Sequence, residues 1–432
     1  MKPQLLIGAM HSGSGKTTFT MGILRALQRQ GLQVQSYKCG PDYIDPRFHA
    51  VATGRVSVNL DTWLASPQHV RALYAGYGAD ADACVVEGVM GLFDGYERME
   101  GSSAEIAQLL GIPVLLVVGA RSTAYTVAAQ LCGMKSFRPD LRIAGVVFNQ
   151  ISSENHFRFL RQACDDAGLR CFGALPQASA LEIPSRHLGL TLSAEQEMDR
   201  QIARAADLVS AHVDLTALWE AVCIPFPESS IPEPSSPGSL RIAVARDAAF
   251  NFTYRENLAR FARMGDLAYF SPLAGDPLPE ADLVYLPGGY PELFAAQLAA
   301  QTRVQAQLRA YAEGGGRILA ECGGMIYLSQ ALEGVSGGPY PMCGVLPFTA
   351  TMAGARLHLG YRRVVDAAGR CWRGHEFHYS AVTEPGALPS AATQYNVRGE
   401  PVSTPLYRYK NVIAGYTHLY WGETDILQLW EL

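Results

Sequence analysis

Lysine is scarce in this chain of 432 residues, which holds only Lys2, Lys16, Lys38, Lys135 and Lys410. A lysine inside a motif is therefore less often there by chance. The nine cysteines are scattered and include no CxxC pair, which argues against a zinc ribbon or a disulfide framework and favours a reducing compartment. The apolar runs have only the length of strands, so none of them could span a bilayer.

The composition excludes further classes of protein. With 48% apolar and 17% charged residues, the chain is expected to form globular domains, and its length favours two or three of them. The net charge of -5 gives no reason to expect nucleic acid or an anionic membrane as a partner. A strand and a glycine-rich loop follow the first methionine at once and leave no room for a signal peptide, so we expect a cytoplasmic protein.

Short apolar runs alternate with helical patterns in the first half of the chain. The runs at 5–9, 83–87, 114–118 and 143–148 each end where a polar or glycine-rich loop begins. Continuous apolar strands of this kind predict an α/β fold, with helices on both faces of a parallel sheet and ligands at the carboxyl ends of its strands.

A segment rich in proline and serine, 225–239, predicts a linker between two domains. The first domain would comprise residues 1–224. The second would comprise residues 240–432 and opens with an apolar strand at 240–245, so it is predicted to be a second α/β unit.

A phosphate-binding loop follows the first strand and precedes a helical segment. Glycines let such a loop turn its amide groups toward phosphate oxygens, the lysine supplies a charge to the β- and γ-phosphates, and the following threonine offers a hydroxyl to magnesium. Met10 stands where the strict pattern has glycine, so the loop resembles the variant of the dethiobiotin synthetase and MinD-like class. The predicted nucleotide-binding residues are Ser12, Gly13, Ser14, Gly15, Lys16, Thr17 and Thr18.

Two acidic segments, 38–49 and 86–95, supply carboxylates near this loop. A bound nucleotide needs a carboxylate for magnesium, and P-loop enzymes place it at a strand end, so we predict Glu87, Asp45 and Thr17 as magnesium ligands. Asp42 and Asp94 are acids that also suit turns. Asn149, just past a strand, is predicted to contact the nucleobase, with a helix N-cap as the alternative.

A cysteine lies at a sharp turn in the second domain, in the stretch 314–325. Cys322 ends a strand and is followed by Gly323 and Gly324, an arrangement that exposes a nucleophile and directs backbone N–H groups to its oxyanion. We also expect the helix N-terminus to lower the pKa of the thiol.

A cysteine nucleophile needs an imidazole partner. His418 directly follows an expected strand and is preferred, while His375 and His378 remain alternatives. Gly288 and Gly289 follow another strand and are predicted, with Gly323, to line the site of the oxyanion and its substrate, the alternative for the glycine pair being an ordinary turn.

Together these motifs resemble the cobyrinic acid a,c-diamide synthase family over nearly the whole chain. The resemblance implies a P-loop synthetase domain followed by a class I glutamine amidotransferase domain. The matching stretches are SGSGKTT, GPDYIDPRFH, VEGVMGLFDG, LEIPSRHLGL, IAVARDAAFNFTY, LPGGYPEL, AECGGMIYL, RGHEFHYS and GYTHLYWG.

The resemblance implies an enzyme that uses ATP and Mg2+ to activate two acetate side chains of cobyrinic acid and amidates them with ammonia from glutamine. It implies Cys322 as nucleophile and His418 as base, and it places Asp45, Glu87 and Asp94 among acids that bind magnesium or assist activation. The chain departs from related enzymes at Tyr420, where class I glutaminases carry glutamate, and at Gly119, where aspartate is frequent.

Other functions are compatible with the same motifs. Relatives act on other anionic tetrapyrroles, nickel-sirohydrochlorin or sirohaem, that also carry acetate arms. A P-loop switch ATPase with a passive docking domain would leave Cys322 and His418 without a task. A glutaminase with a regulatory nucleotide domain is a third alternative, and a homodimer is a candidate assembly.

Overall fold

The structure is a computed structural model that describes residues 1–177, 192–228, 238–383 and 388–431. The chain divides into two compact units, Met1–Pro232 and Glu233–Leu432. The middle of the predicted linker, 229–237, and the motif LEIPSRHLGL at 181–190 lie outside the described residues.

The first unit is a parallel α/β sheet, as predicted. The strand order is β3-β2-β4-β1-β5-β6-β7, and β8 runs antiparallel beside β1. In chain order its elements are β1 (Lys2–Ala9), α1 (Lys16–Arg29), β2 (Val34–Cys39), α2 (Asp45–Thr53), β3 (Val58–Leu60), α3 (Pro67–Gly78), β4 (Ala83–Glu87), α4 (Ser103–Leu110), β5 (Val114–Gly119), α5 (Val127–Phe137), β6 (Ile143–Ile151), α6 (Glu154–Ala167), β7 (Cys171–Pro176), α7 (Leu192–His212), α8 (Leu215–Val222) and β8 (Cys223–Ile224).

Helices bury the central strands of this sheet, so their apolar runs are continuous rather than alternating. Leu5 and Ile7 of β1 lie fully inside a core that α1, α7 and α8 complete. Helix α1 approaches α7 closely, because a Cβ on Gly22 would lie 2.7 Å from the carbonyl oxygen of Ala205. The packed helices fix the loops that follow β1, β2, β4 and β6, all of which leave the sheet at its carboxyl edge.

The second unit is also α/β. In chain order its elements are β9 (Leu240–Ala245), α9 (Arg255–Met264), β10 (Gly265–Phe270), β11 (Leu283–Leu286), α10 (Ala295–Ala300), α11 (Thr302–Glu313), β12 (Arg317–Glu321), α12 (Gly323–Leu328), β13 (Ala331–Glu333), β14 (Tyr340–Pro341), β15 (Ala350–Thr351), β16 (His358–Val365), β17 (Cys371–His378), β18 (Ala381–Val382), β19 (Thr393–Tyr395), β20 (Pro401–Val402), β21 (Leu406–Tyr409), β22 (Val412–Gly415) and β23 (Thr417–Leu419).

Its central sheet has the order β10-β9-β11-β12-β22-β21, parallel except for β21. An antiparallel sheet, β20-β19-β16-β17-β23, continues from it, since β23 follows β22 after a single residue. The strands β12 and β22 lie side by side, with Glu321 opposite Gly415. This pairing brings the end of β12 next to the start of β23.

Among the residues that the structure describes, no helix is both long and apolar enough to cross a membrane.

Candidate active sites

A cavity of about 530 Å3 lies at the carboxyl edge of the first sheet. The loops after β1, β2, β4 and β6 surround it, which is where a parallel α/β sheet places its ligands. Its wall contains Ser12, Gly13, Gly15, Lys16, Thr17, Thr18, Asn149, Asp42, Asp45 and Glu87 of the sequence prediction, together with Lys38, Arg121, Gln150 and Gln177 among others.

Asn149 ties the strand end of β6 to the phosphate loop. Its amide nitrogen donates to the carbonyl oxygen of Ser14 at 3.1 Å. A Cβ on Gly15 would lie 2.0 Å from that nitrogen, and Gly15 has φ of 95°, so only glycine fits there. The alternative of a helix N-cap is wrong, because the side chain of Ser153 caps α6 by accepting from the backbone N–H of His156.

Lys16 reaches across the loop rather than into solvent. Its ammonium donates to the carbonyl oxygen of Met90 at 2.5 Å, and burial together with the charge of Lys38 lowers its pKa. The side chain of Ser14, by contrast, is buried and donates to the carbonyl oxygen of His11 at 2.9 Å. Ser14 can therefore serve a nucleotide through its backbone, while its side chain fixes the shape of the loop.

Glu87, at the end of β4, is the centre of a buried charge cluster. One carboxylate oxygen accepts from the hydroxyl of Thr17 at 2.6 Å and from the ammonium of Lys38 at 2.9 Å. The other accepts from Nε2 of His49 at 2.6 Å. Lys38 also lies 2.5 Å from Asp45, whose Oδ2 is 3.4 Å from the Thr17 hydroxyl.

The pKa values of the two acids of the cluster are shifted in opposite directions. Burial would lower the pKa of Lys38, but the carboxylates of Glu87 and Asp45 outweigh it and raise that pKa. Burial would likewise raise the pKa of Glu87, but Lys38 and His49 hold it well below its ordinary value. Asp45 is only 17% exposed, and this partial burial, together with the charge of Glu87, raises its pKa to about 7.

The three predicted magnesium ligands are therefore neighbours, and all offer the oxygen atoms that Mg2+ prefers. The arrangement fits a divalent cation, since two carboxylates and a hydroxyl already surround one positive charge, the Lys38 ammonium. No role for Lys38 or His49 could be predicted from the sequence. The scarcity of lysine and the position of Lys38 in the same acidic segment were the available signals.

The two remaining acids take part in turns. Asp42 lines the cavity, but its Oδ1 accepts from the backbone N–H groups of Ile44 and Asp45 at the start of α2. Asp94 is exposed, and its Oδ2 accepts from the N–H of Gly91 at 2.9 Å. Asp94 does not belong to the cavity wall, so a catalytic role for it remains a prediction.

Cys322 stands at the turn between β12 and α12. It has φ of 46° and ψ of -103°, a left-handed conformation that costs a residue other than glycine about 1–3 kcal/mol. A Cβ on Gly324 would lie 2.1 Å from the carbonyl oxygen of Leu286 in β11. The helix can begin this close to the sheet only because Gly324 has no side chain, so the turn holds Cys322 at a fixed place.

The predicted glycines meet around this cysteine. A Cβ on Gly323 would lie 3.0 Å from the backbone nitrogen of Gly289, so the two backbones are in close contact. A Cβ on Gly288 would lie 2.1 Å from Cε1 of His418. The loop after β11 therefore contacts both the cysteine turn and the imidazole, and its role as an oxyanion site remains a prediction.

His418 lies in β23, directly opposite His375 of β17. The next backbone N–H, that of Leu419, donates to Glu321 at 3.0 Å, which fixes the strand beside the residue that precedes Cys322. Burial, with His375 and His378 as smaller causes, lowers the pKa of His418 to about 3. Its imidazole is therefore neutral in this closed form, and burial disfavours the imidazolium.

The pKa of the Cys322 thiol differs from the prediction. Burial raises that pKa, and the nearby carboxylates of Glu292 and Glu376 raise it further, although the N–H of Gly323 acts in the opposite direction. The prediction of a lowered pKa was wrong, because α12 has only six residues and the sulfur is buried. In this closed form the cysteine is a neutral thiol.

His378 lines the same small cavity as Cys322. Both of its ring nitrogens are within hydrogen-bond distance of an oxygen, Nδ1 from the carbonyl of Ser380 at 2.8 Å and Nε2 from Glu376 at 2.7 Å. A ring so engaged cannot accept the thiol proton, which favours His418 over His378 as the base.

Comparison with known proteins assigns a family to each half of the chain. Residues 5–190 match the CobQ/CobB/MinD/ParA nucleotide binding domain, and residues 241–426 match the CobB/CobQ-like glutamine amidotransferase domain. The chain belongs to the CobB/CobQ family. The predicted resemblance and the predicted order of the two α/β domains are thereby confirmed.

Curated relatives of this CobB/CobQ family member match along almost their whole length. The hydrogenobyrinate a,c-diamide synthase of Rhizobium meliloti is 40% identical over 96% of this chain and 98% of the relative. The protein of the same name from Rhodobacter capsulatus is 43% identical over 97% of this chain and 98% of the relative. A third protein of this name, from Sinorhizobium sp, is 40% identical over 96% of this chain and 98% of the relative.

The structure shows the surroundings of the two residues at which the sequence departs from related enzymes, Gly119 and Tyr420. A Cβ on Gly119, at the end of β5, would meet Ser14 at 3.5 Å, an ordinary contact, so the phosphate loop does not require glycine there. Tyr420, two residues after His418, is buried, and its ring packs edge to face against Tyr254. An aromatic contact thus occupies the position where related glutaminases carry a glutamate.

Proposed function

We propose that this chain is an ATP- and glutamine-dependent a,c-diamide synthase that amidates two acetate side chains of hydrogenobyrinate. The observation that carries the proposal is the match to relatives of that name over both domains. Residues 1–224 would form the synthetase domain and residues 240–432 the glutaminase domain, with 225–239 as the linker.

The synthetase step has to activate a carboxylate, because ammonia does not displace a carboxylate oxygen unaided. Transfer of the γ-phosphoryl group of ATP to an acetate oxygen gives an acyl phosphate, which ammonia attacks with loss of phosphate. Catalysis of such a transfer consists mostly of positioning and charge neutralisation. Lys16, Lys38 and Arg121 are cationic side chains that line the cavity.

Thr17, Asp45 and Glu87 would hold Mg2+ in this domain. When bound, the ion would neutralise charge on the phosphates of ATP. Lys38 would then have to leave its position between Asp45 and Glu87, which frees its ammonium to approach the transferred phosphoryl group. Asp94 would assist activation of the substrate from the loop after β4, although its carboxylate also closes a turn.

The glutaminase step uses Cys322. His418 takes the thiol proton as the sulfur attacks the side-chain amide carbon of glutamine, and the N–H groups of Gly289 and Gly323 stabilise the oxyanion. Transfer of that proton from His418 to the amide nitrogen lets the intermediate collapse, which breaks the C–N bond, releases ammonia and leaves a γ-glutamyl thioester. Water then hydrolyses the thioester to glutamate and restores the thiol.

The identity of the substrate ring is the part of the proposal for which the relatives give the most direct support. Their name favours hydrogenobyrinate, which is cobyrinate without cobalt. The sequence alone favoured cobyrinate and left nickel-sirohydrochlorin and sirohaem as alternatives. All four carry acetate arms that the same chemistry would amidate, so only the enzyme assay separates them.

The test incubates the protein with ATP, Mg2+ and glutamine and with each of the four tetrapyrroles in turn, and follows the mass of the product. We expect hydrogenobyrinate to become a diamide. In Cys322→Ala, amidation should stop with glutamine and continue with free ammonia. Cys343→Ala, which removes another buried thiol of the second unit, is the matched control and should keep glutamine-dependent amidation. ATP hydrolysis without amidation of any tetrapyrrole would refute the proposal in favour of a switch ATPase.

A further inference from the structure

Glu292 is a carboxylate in the Cys322 cavity that neither step of the proposed reaction uses. It lies in the short 3-10 helix Pro291–Phe294, which follows Gly289 and precedes α10. Both Glu292 and Cys322 line the cavity, together with aromatic side chains that include Phe252 and Phe377. A carboxylate in such surroundings is costly unless something compensates its charge.

The described part of the chain supplies no such compensation. No cationic side chain pairs with Glu292, and the only favourable contact of its carboxylate is with its own backbone N–H, so burial raises its pKa to about 7. Glu292 is partly buried, and two acids of the unit that are fully buried do have partners. Glu376 contacts Arg362 and His378, and Glu321 accepts from Tyr285 and from the backbone.

The position of Glu292 also opposes the chemistry of its neighbour. Its negative charge raises the pKa of the Cys322 thiol and so disfavours the thiolate that attacks the amide. A carboxylate would be harmful beside a nucleophilic sulfur unless the substrate brings a positive charge to it. Glutamine at neutral pH carries one positive group, the α-ammonium.

We propose that Glu292 binds the α-ammonium group of glutamine and so selects the substrate of Cys322. The inference rests on the proposed role of Cys322 as the glutaminase nucleophile. The ammonium would neutralise the carboxylate and thereby remove the charge that opposes thiolate formation. Glutamine would then promote ionisation of the sulfur that attacks it, while an empty site keeps a neutral thiol.

The size of the cavity is consistent with a site that opens for its ligand. It holds about 10 Å3, room for about one water molecule, so side chains of the wall must move before glutamine enters. Tyr379 also lines the cavity and is exposed. A wall of aromatic residues around the ammonium would keep water away and strengthen the ion pair.

The experiment compares two substrates of the glutaminase reaction. Glutaramate is glutamine without its α-amino group, so it offers the same amide and carboxylate and no ammonium. The readout is the ratio of kcat/KM for glutamine to kcat/KM for glutaramate. Glu292→Gln keeps the size of the side chain and removes its charge, and we expect that ratio to fall about 10- to 100-fold, the usual weight of a charge-assisted hydrogen bond.

Two further variants make the result specific. Glu292→Asp keeps the charge and should restore part of the ratio. Glu313→Gln removes an exposed acid of the same unit and should leave the ratio unchanged. An unchanged ratio in Glu292→Gln, or an equal loss on both substrates, would overturn the inference in favour of a structural role.

A binding measurement is independent of turnover. Calorimetry with glutamine should show weaker binding to Cys322→Ala carrying Glu292→Gln than to Cys322→Ala alone, and equal binding would also overturn the inference. None of these measurements needs a tetrapyrrole or ATP. If the proposed amidation were not observed, the result for Glu292 could therefore still be interpreted.

Discussion

Removal of the Lys38 ammonium is the most informative perturbation of the first unit. Lys38 lies 2.5 Å from Asp45 and 2.9 Å from Glu87, and only 4% of its side chain and none of that of Glu87 is exposed. Lys38→Met would leave the buried Glu87 and the largely buried Asp45 without the cation between them. Breaking a buried ion pair from one side costs about 3–5 kcal/mol in the free energy of unfolding.

The cost should depend on pH in a definite direction. Without Lys38, the folded pKa values of the two carboxylates rise above those of the unfolded chain, so the folded state binds more protons. Its stability is then lost as the pH rises through those folded values. We expect Lys38→Met to lower the free energy of unfolding by about 3 kcal/mol near pH 8. The loss should be smaller near pH 6, because one of the two carboxylates can take up a proton there. For a unit of this size, 3 kcal/mol corresponds to a decrease of about 6–12 °C in Tm.

The assay is differential scanning calorimetry of the wild type and of Lys38→Met, with and without MgCl2. The transition that ATP shifts identifies the first unit. Because Mg2+ can replace the missing charge, it should raise the Tm of the variant more than that of the wild type. At about 100 times its Kd the ion would contribute about 2.7 kcal/mol.

The control for this experiment is Lys135→Met, which removes an exposed lysine that donates to backbone carbonyls of the same unit. We expect a change below about 1 kcal/mol for this variant. The reasoning is refuted if Lys38→Met melts at the wild-type temperature, or if Mg2+ stabilises both proteins equally.

Two further predictions concern stability. In Gly324→Ala the new Cβ would lie 2.1 Å from the Leu286 carbonyl oxygen, so we expect a loss of about 2–4 kcal/mol in urea unfolding. The control is Gly133→Ala in α5, where the new Cβ would lie in open space, so this change should be neutral or stabilising. Equal effects of the two substitutions would contradict the close approach of α12 to the sheet. Burial raises the pKa of Glu321 to about 8, although Tyr285 donates to it, so the folded chain holds a proton there that the unfolded chain releases. The free energy of unfolding should therefore fall from pH 5 to pH 8. In Glu321→Gln this pH dependence should be weaker. An identical pH profile in the variant would show that Glu321 is already ionised in the folded protein.

The phosphate loop and the cysteine turn could be predicted because each depends on consecutive residues. A strand, a loop with Gly13 and Gly15, and a helix that begins at Lys16 define a local conformation whatever the rest of the chain does. The same holds for Cys322 between β12 and two glycines. Continuous apolar strands likewise predicted a parallel sheet, and with it the edge at which the loops meet.

Some details of these loops needed the structure. The side chain of Ser14 turns back into its own loop, and Asn149 contacts that loop instead of capping a helix. The carboxylate of Asp94 closes a turn. The sequence could identify these residues as polar and near the site, but the direction of a side chain depends on neighbours from other strands.

The electrostatics of both sites were decided by tertiary structure alone. Lys38 is separated from Glu87 by 49 positions along the chain, and His49 by 38 positions. No sequence pattern predicts either contact. The thiol of Cys322 is buried beside acids, so its pKa rises where a helix N-terminus had predicted the opposite. The sequence determined which chemical groups stand at each strand end. Burial and the nearest opposite charge decide their protonation, and both depend on residues that are distant in sequence.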